Sequence, residues 1–184
     1  MKTLTVKELM IPLSEYATVS EDATLSQAVM ALDKAQKDFN HTRYRHRAIL
    51  VLDKNNQVVG KLSQHDVIKA LEPNYRRIQR LRSLDRFGLS PELVKSMMEQ
   101  YSLWDRPLES LCLTAAKEKV KEIMYTPTEG EYIEEDASLD AAIHRLVVGH
   151  HHSLLVTRGR DIVGILRLTD VFVLVSQKLS ELQC

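Results

Sequence analysis

Two stretches of the chain carry the same apolar stripe. Leu25, Ala28, Val29 and Leu32 fall at i, i+3, i+4 and i+7, and Leu139, Ala142, Ile143 and Leu146 repeat that spacing. At 3.6 residues per turn each set lines one side of a helix. Each stripe is followed by a continuous apolar run, at 48–52 in one case and 154–157 in the other. Unbroken runs of that length suit strands covered on both faces. Turn residues come next, Asp53-Lys54-Asn55-Asn56 or Arg158-Gly159-Arg160, and then a second short strand at 58–62 or 162–166. A closing helix is predicted from near Asp66 and from near Asp170, the second running towards Leu182. Ahead of each stripe lie a short helical turn (6–10 or 120–124), stopped near Pro12 or Pro127, and a brief extended piece (16–19 or 131–133). Thr24 with Gln27 predicts a capping box for the first amphipathic helix, and Ser138 a simpler cap for the second.

The residues repeat along with the pattern. Val6-Lys7-Glu8-Leu9-Met10 returns as Val120-Lys121-Glu122-Ile123-Met124, and Glu21-Asp22-Ala23-Thr24-Leu25 as Glu135-Asp136-Ala137-Ser138-Leu139, both at an offset of 114. Val59-Gly60, Leu62 and Asp66-Val67 return as Val163-Gly164, Leu166 and Asp170-Val171 at an offset of 104. The shift comes from a first turn one residue longer and nine extra residues around 37–45. The predicted fold class is α/β (α+β): two β-α-β-β-α units related by a pseudo-two-fold axis, whose seam is a natural place for a ligand. The expected division is repeat one at 1–72, a helical insert at 73–118 and repeat two at 119–184.

The insert has no partner in the repeat. Arg76, Arg77, Arg80, Arg82 and Arg86 interleave with Tyr75, Ile78, Leu81 and Leu84 at helical spacing, up to a stop at Gly88. Ser90-Pro91-Glu92 predicts a fresh helix start, with Leu93, Val94, Met97, Met98 and Tyr101 as its apolar side. Pro107 opens a third helix carrying Leu108, Leu111, Cys112 and Ala115, and Trp104 with its neighbours is read as the core of the insert. Gly and Ser are too sparse for a flexible linker.

Charge narrows the partners. Lys plus Arg equals Asp plus Glu, 25 against 25. That balance argues against broad binding to nucleic acid or to an anionic membrane, and reads the arginine stripe as a solvated or partner-facing helix surface. No apolar run is long enough to span a bilayer and the first residues lack the pattern of a signal peptide, so a cytoplasmic protein is expected. Cys112 and Cys184 suggest neither a disulfide framework nor a zinc site. His150-His151-His152, near His144, invites a metal, but consecutive residues entering a strand point to alternate faces, so no metal site is expected. Nucleophile elbow, Walker loop and HExxH patterns are absent from the sequence, and no enzyme activity is expected.

With its paired Val-Lys-Glu-Leu/Ile-Met starts, its Glu-Asp-Ala-Thr/Ser-Leu helix openings and the ends at 59–66 and 163–170, the chain resembles a tandem pair of cystathionine-beta-synthase (CBS) domains, a Bateman module, over about 6–72 and 119–176. The resemblance implies two units packed through their sheets, frequent homodimerisation, and clefts that hold adenine nucleotides (AMP, ADP, ATP) as regulatory ligands in energy sensing, with no cofactor required. With no effector domain attached, it implies either an effector protein in trans or a stand-alone function. S-adenosylmethionine as ligand, or a ligand-free scaffold working through the insert, are the alternatives.

Site residues follow from the resemblance and from their chemistry. A carboxylate where a strand hands over to a helix accepts two hydrogen bonds from a vicinal diol, or it simply caps the helix. Asp66 with Ser63, and Asp170, are the ribose candidates. Repeat two departs from the pattern with Arg167 at the place of Ser63. Arg167 suits a phosphate or Asp170 itself. His46 and Arg47 before the first buried strand, matched by His151 and His152 in repeat two, are expected at the phosphates, with Arg43 and Arg45 nearby and a phosphate holding His46 as imidazolium. Thr18 and Val19, with Tyr132 and Ile133, are expected to wall the adenine, although an ordinary core role suits Val19 and Ile133 equally well.

Overall fold

The computed structural model describes residues 4–38, 45–75 and 90–182. Along them run β1 (Ile11–Pro12), β2 (Thr18–Ser20), α1 (Leu25–Asp38), β3 (Ala48–Leu52), β4 (Val58–Ser63), α2 (Gln64–Leu71), α3 (Pro91–Gln100), α4 (Leu108–Ala115), α5 (Val120–Ile123), β5 (Tyr132–Glu134), α6 (Leu139–Val148), β6 (Ser153–Arg158), β7 (Asp161–Arg167) and α7 (Leu168–Glu181). Three-residue 3₁₀ turns lie at Val6–Glu8, Leu13–Glu15 and Glu129–Glu131. Arg43, the arginine series at 76–86 with Ile78, Leu81, Leu84 and Gly88, and Cys184 lie outside the described residues.

Both repeats show the expected α+β order, and their sheets match in detail. β2 runs parallel to β3 and β3 antiparallel to β4, with Ala48 opposite Ser63. β5 runs parallel to β6 and β6 antiparallel to β7, with Ser153 opposite Arg167. Each sheet carries a register shift at the same place, Val51/Leu52 and Val156/Thr157. Through this register Arg47 corresponds to His152 and His46 to His151.

The apolar runs are buried for the reason their pattern suggests. Successive side chains of a strand point to opposite faces. In β3, Ile49 and Val51 enter a first core with Leu25, Ala28 and Leu32 of α1, while Leu50 faces the other way. In β6, Leu154 and Val156 join a second core with Leu139, Ala142 and Leu146 of α6. Leu50 and Leu155 meet Ile11, Tyr16 and Ile165 in a third cluster where the two sheets face each other. The helix caps act as expected. Gln27 Oε1 accepts from the Thr24 N–H at 2.8 Å, and the Ala141 N–H donates to Ser138 Oγ at 3.3 Å.

The short segments that open each repeat dock on the other repeat. Val6 sits in the second core and Val120 in the first. The Val6 N–H donates to the Ala137 carbonyl at 3.0 Å and the Val120 N–H to the Ala23 carbonyl at 2.9 Å. β1 pairs with β7, Ile11 opposite Ile165, and Tyr125 bridges Lys61. The repeated Val-Gly pair has its explanation here, because the exchanged segment crosses directly over the glycine. A Cβ on Gly164 would meet the Ile11 carbonyl oxygen at 2.5 Å, and one on Gly60 the Met124 sulfur at 2.6 Å.

The insert attaches to repeat one. Ser90 caps α3 as expected, but Leu93, Val94 and Met98 on that helix are exposed. In α4, Leu111 and Ala115 are buried, and Ala115 belongs to the first core. Trp104 fastens the insert to the end of α2. Its backbone N–H donates to the buried carboxylate of Glu72 at 2.9 Å, its indole N–H to the Tyr75 hydroxyl at 3.0 Å, and its ring meets Tyr75 edge-on.

Candidate functional site

β4 and β7 end at corresponding positions, and each hands over directly to a helix. Ser63 caps α2 in a reciprocal box: the Asp66 N–H donates to Ser63 Oγ at 3.2 Å, while Asp66 Oδ2 accepts from the Ser63 N–H at 2.9 Å and from its hydroxyl at 2.6 Å. A hydroxyl satisfies only one carboxylate oxygen, so Oδ1 has no partner among the described residues. In repeat two the residue before the helix is Arg167. Its planar fork takes both oxygens of Asp170, Nε to Oδ2 at 2.6 Å and Nη2 to Oδ1 at 2.5 Å. The pair is almost fully buried, with side-chain exposures of 6% and 11%.

Between the repeats lies a cleft of about 580 Å³. Repeat one contributes Tyr16, Arg45, Arg47, Lys61, Ser63, Gln64, His65 and Asp66 to its lining, and repeat two Tyr125, Glu131, His151, His152 and Arg167. The cleft therefore gathers Ser63, Asp66, Arg47, His151, His152 and Arg167 from the expected site residues. Arg45 and Arg47 are exposed and have no ion-pair partner among the described residues.

Six expected residues are placed elsewhere. Asp170 does not line the cleft, because Arg167 holds its carboxylate in the buried pair. His46 is 1% exposed. Its ring meets Tyr16 edge-on at 4.4 Å, and its Nδ1 lies 3.3 Å from Arg167 Nη1. Burial, helped by the Arg167 charge, pushes its pKa down to about 4, so it is neutral imidazole at pH 7 rather than imidazolium. It borders a smaller cavity beside Gln36 and Arg47. The expected adenine wall is absent from the cleft. Val19 packs against the first core and Ile133 is inside the second. Thr18 is held in register opposite Leu50, and Tyr132 packs against the cluster between the sheets. Of the four, Ile133 is buried, while Thr18, Val19 and Tyr132 are partly buried.

Three residues of the cleft escaped the sequence reading. Glu131 is 2% exposed, accepts from Lys61 Nζ and from the Tyr125 hydroxyl at 2.5 Å each, and accepts from the Thr128 N–H at 3.2 Å. Burial pushes its pKa up, but the hydrogen bonds from Lys61 and Tyr125 more than cancel that and hold the carboxyl below its ordinary value. The Lys61 ammonium stands 5.2 Å from the centre of the Tyr125 ring. The available signal was a difference between repeats: Lys61 corresponds to Ile165, Tyr125 to Ile11 and Glu131 to Ala17. An ion pair replaces an apolar contact on one side of the pseudo-axis only.

Among the described residues no group of three or more His, Cys, Asp or Glu side chains is arranged to hold a metal ion, and no helix is long and apolar enough to cross a membrane. The arrangement offers an anion two exposed guanidinium groups with histidines opposite, a carboxylate oxygen for a hydroxyl donor, and an aromatic ring.

A sequence profile of the CBS domain matches residues 6–73 and 120–176. Solved structures with the same fold include protein MJ1004 from Methanocaldococcus jannaschii, with a TM-score of 0.57 and 17% identity over 95% of this chain and 60% of that one, so this chain spans less than two thirds of its length. A putative acetoin utilization protein (AcuB) from Vibrio cholerae aligns with a TM-score of 0.60 and 18% identity over 99% of this chain and 96% of that one. The protein CBSX2, solved in complex with AMP, aligns with a TM-score of 0.57 and 18% identity over 94% of this chain and 96% of that one. A search of curated protein sequences found no match.

Proposed function

The chain belongs to the CBS domain family, and from that premise we propose that it is a non-catalytic regulatory module that binds an adenine nucleotide in the cleft at Asp66. The observation that carries the reading is the half-used carboxylate. Asp66 Oδ2 is committed to the helix cap and Oδ1 is left for a ribose hydroxyl, in a cleft that Arg45, Arg47, His151 and His152 also line. A guanidinium offers phosphate oxygens a planar pair of donors, and Tyr125 supplies a ring on which a base can stack. The AMP complex of CBSX2 supports the choice of an adenosine phosphate over other adenosyl ligands.

Binding between two repeats that exchange their opening segments biases one packing of the pair, and a partner protein in the cytoplasm reads that packing. The working unit is a homodimer. Leu168, Phe172, Val175, Leu179 and Leu182 follow the 4-3-4-3 spacing of a two-helix seam along α7, and all five are exposed, Phe172 at 58%. Sedimentation of Phe172→Glu should then give a lighter species than the unaltered chain.

The nucleotide reading is tested by thermal unfolding with AMP, ADP and ATP. A ligand at about 100 times its Kd adds ~2.7 kcal/mol and raises Tm by several degrees. Asp66→Asn keeps an oxygen for the cap and loses the charge. The rise is expected to vanish in that variant, and millimolar nucleotide that leaves the unaltered protein's Tm in place rejects the reading.

A further inference from the structure

The pseudo-two-fold axis implies a second cleft around Asp170, related to the first by the correspondence of the repeats. Arg167, Leu168 and Thr169, the counterparts of Ser63, Gln64 and His65, still border the open cleft, but behind them the Asp170 end is filled. Gly130, beside His151 in the open cleft, corresponds to Tyr16, whose ring lies against His46. Ser63, which leaves one oxygen of Asp66 uncommitted, corresponds to Arg167, which takes both oxygens of Asp170. Lys61 at the mouth corresponds to Ile165, buried against Ile11 in the cluster between the sheets. His151 and Asp66 line the open cleft, and their counterparts His46 and Asp170 do not.

We propose that Tyr16 and Arg167 close the second cleft, so that each chain takes one nucleoside phosphate, at Asp66, and none at Asp170. The inference rests on the nucleotide reading only for the identity of the ligand. Its geometric part, a sealed cleft, stands apart from it. Both oxygens of Asp170 are taken by Arg167, and no buried side-chain nitrogen or oxygen among the described residues is left without a hydrogen-bond partner. A diol reaching Asp170 has to break a bidentate ion pair, and a base has to displace a buried tyrosine ring. Burial raises the Tyr16 pKa to about 12, so its hydroxyl stays neutral throughout the physiological range and gives a ligand no anion to exploit. The closing residues belong to both repeats, Tyr16 and His46 to the first and Arg167 and Asp170 to the second, so the same contact also ties the halves together.

Two measurements on the full chain test this. Equilibrium dialysis against saturating AMP is expected to give one AMP per chain for the unaltered protein, none for Asp66→Asn, and close to two for the double variant Tyr16→Gly, Arg167→Ser. Two per unaltered chain overturns the proposal, as does a value of one for the double variant when it still melts cooperatively. The second measurement needs no ligand. Diethyl pyrocarbonate labelling read by mass spectrometry should modify His152 at least tenfold faster than His46, and equal rates overturn the proposal. If no AMP binds to the unaltered chain, the nucleotide reading fails, while the labelling still decides whether the second cleft is sealed.

Discussion

Ser63 and Arg167 occupy the same place in the two repeats, each the last residue of a strand and each facing an aspartate three positions on. At the first, a hydroxyl caps the helix through one carboxylate oxygen, and the surroundings stay open and polar. At the second, a guanidinium occupies both oxygens, a tyrosine fills the space that Gly130 leaves elsewhere, and the histidine beside it is neutral. The strand registers correspond on both sides, and two differing side chains, Arg167 for Ser63 and Tyr16 for Gly130, separate the cleft proposed to take a ligand from one given over to packing. Duplication supplies two equivalent places, and what distinguishes them is the residues that differ between the copies.

The largest test of this comparison is on stability. Asp170→Ala takes the carboxylate from the buried Arg167 and should cost about 3–5 kcal/mol in urea unfolding, with AMP affinity within about twofold of the starting value. Asp66→Ala removes only a cap contact at a half-exposed position and should cost about 1 kcal/mol, yet abolish the response to nucleotide. Equal stability losses from the two substitutions would remove the distinction between the clefts.

A second test concerns the exchanged segments. Gly164→Ala drives a methyl into the Ile11 carbonyl oxygen, which is backbone and held in a ladder, and should cost about 1–3 kcal/mol. Gly60→Ala meets chiefly the flexible Met124 side chain and should cost less, because the thioether can move. Unfolding midpoints in the reverse order would show that the crossing is looser at β7 than described.

The smallest effect is on pH. His46, packed against Arg167, Tyr16 and Asp170, has a folded-state pKa of about 4, against about 6.5 for an exposed histidine. The unfolded chain therefore binds the proton more readily. The contribution of neutral His46 is fully present above about pH 6.5 and is lost as the pH falls towards 4. His46→Asn should flatten the stability profile over that window. The paired Glu131 adds a loss only at lower pH, below the ordinary glutamate value, since its carboxyl titrates lower in the folded state. A profile unchanged by His46→Asn contradicts the burial of that ring.

Much of this arrangement is legible in the sequence. The stripe at Leu25–Leu32 and its copy, the buried runs, the caps at Thr24 and Ser138 and the helix starts near Asp66 and Asp170 all follow from local chemistry, which each segment satisfies by itself. The exchange of Val6 and Val120 between cores is not legible, because an apolar pattern states that a segment docks and not on which of two like surfaces. Period-two alternation likewise cannot say which face of a short strand meets a ligand: a ligand wall and a core role suit Val19 and Ile133 equally in the sequence, and Ile133 lies in the second core with Val19 packed against the first. His46 and Arg47 precede β3 and read alike in the sequence, but His46 is buried against Tyr16 and only Arg47 reaches the open cleft. Arg167 marked repeat two as the exception. Lys61 against Ile165 and Gly130 against Tyr16 are further differences between the copies, each set among residues the repeats share.

A nucleoside phosphate that enters beside Asp66 and stays out of the region of Asp170 would be seen in a crystal structure of the full chain grown with AMP. One nucleotide per chain is expected, its ribose hydroxyls on Asp66 and its phosphate towards Arg47, with the Arg167–Asp170 pair intact. A nucleotide bound at Asp170, or an open Asp66 cleft that stays empty at saturating AMP, contradicts it.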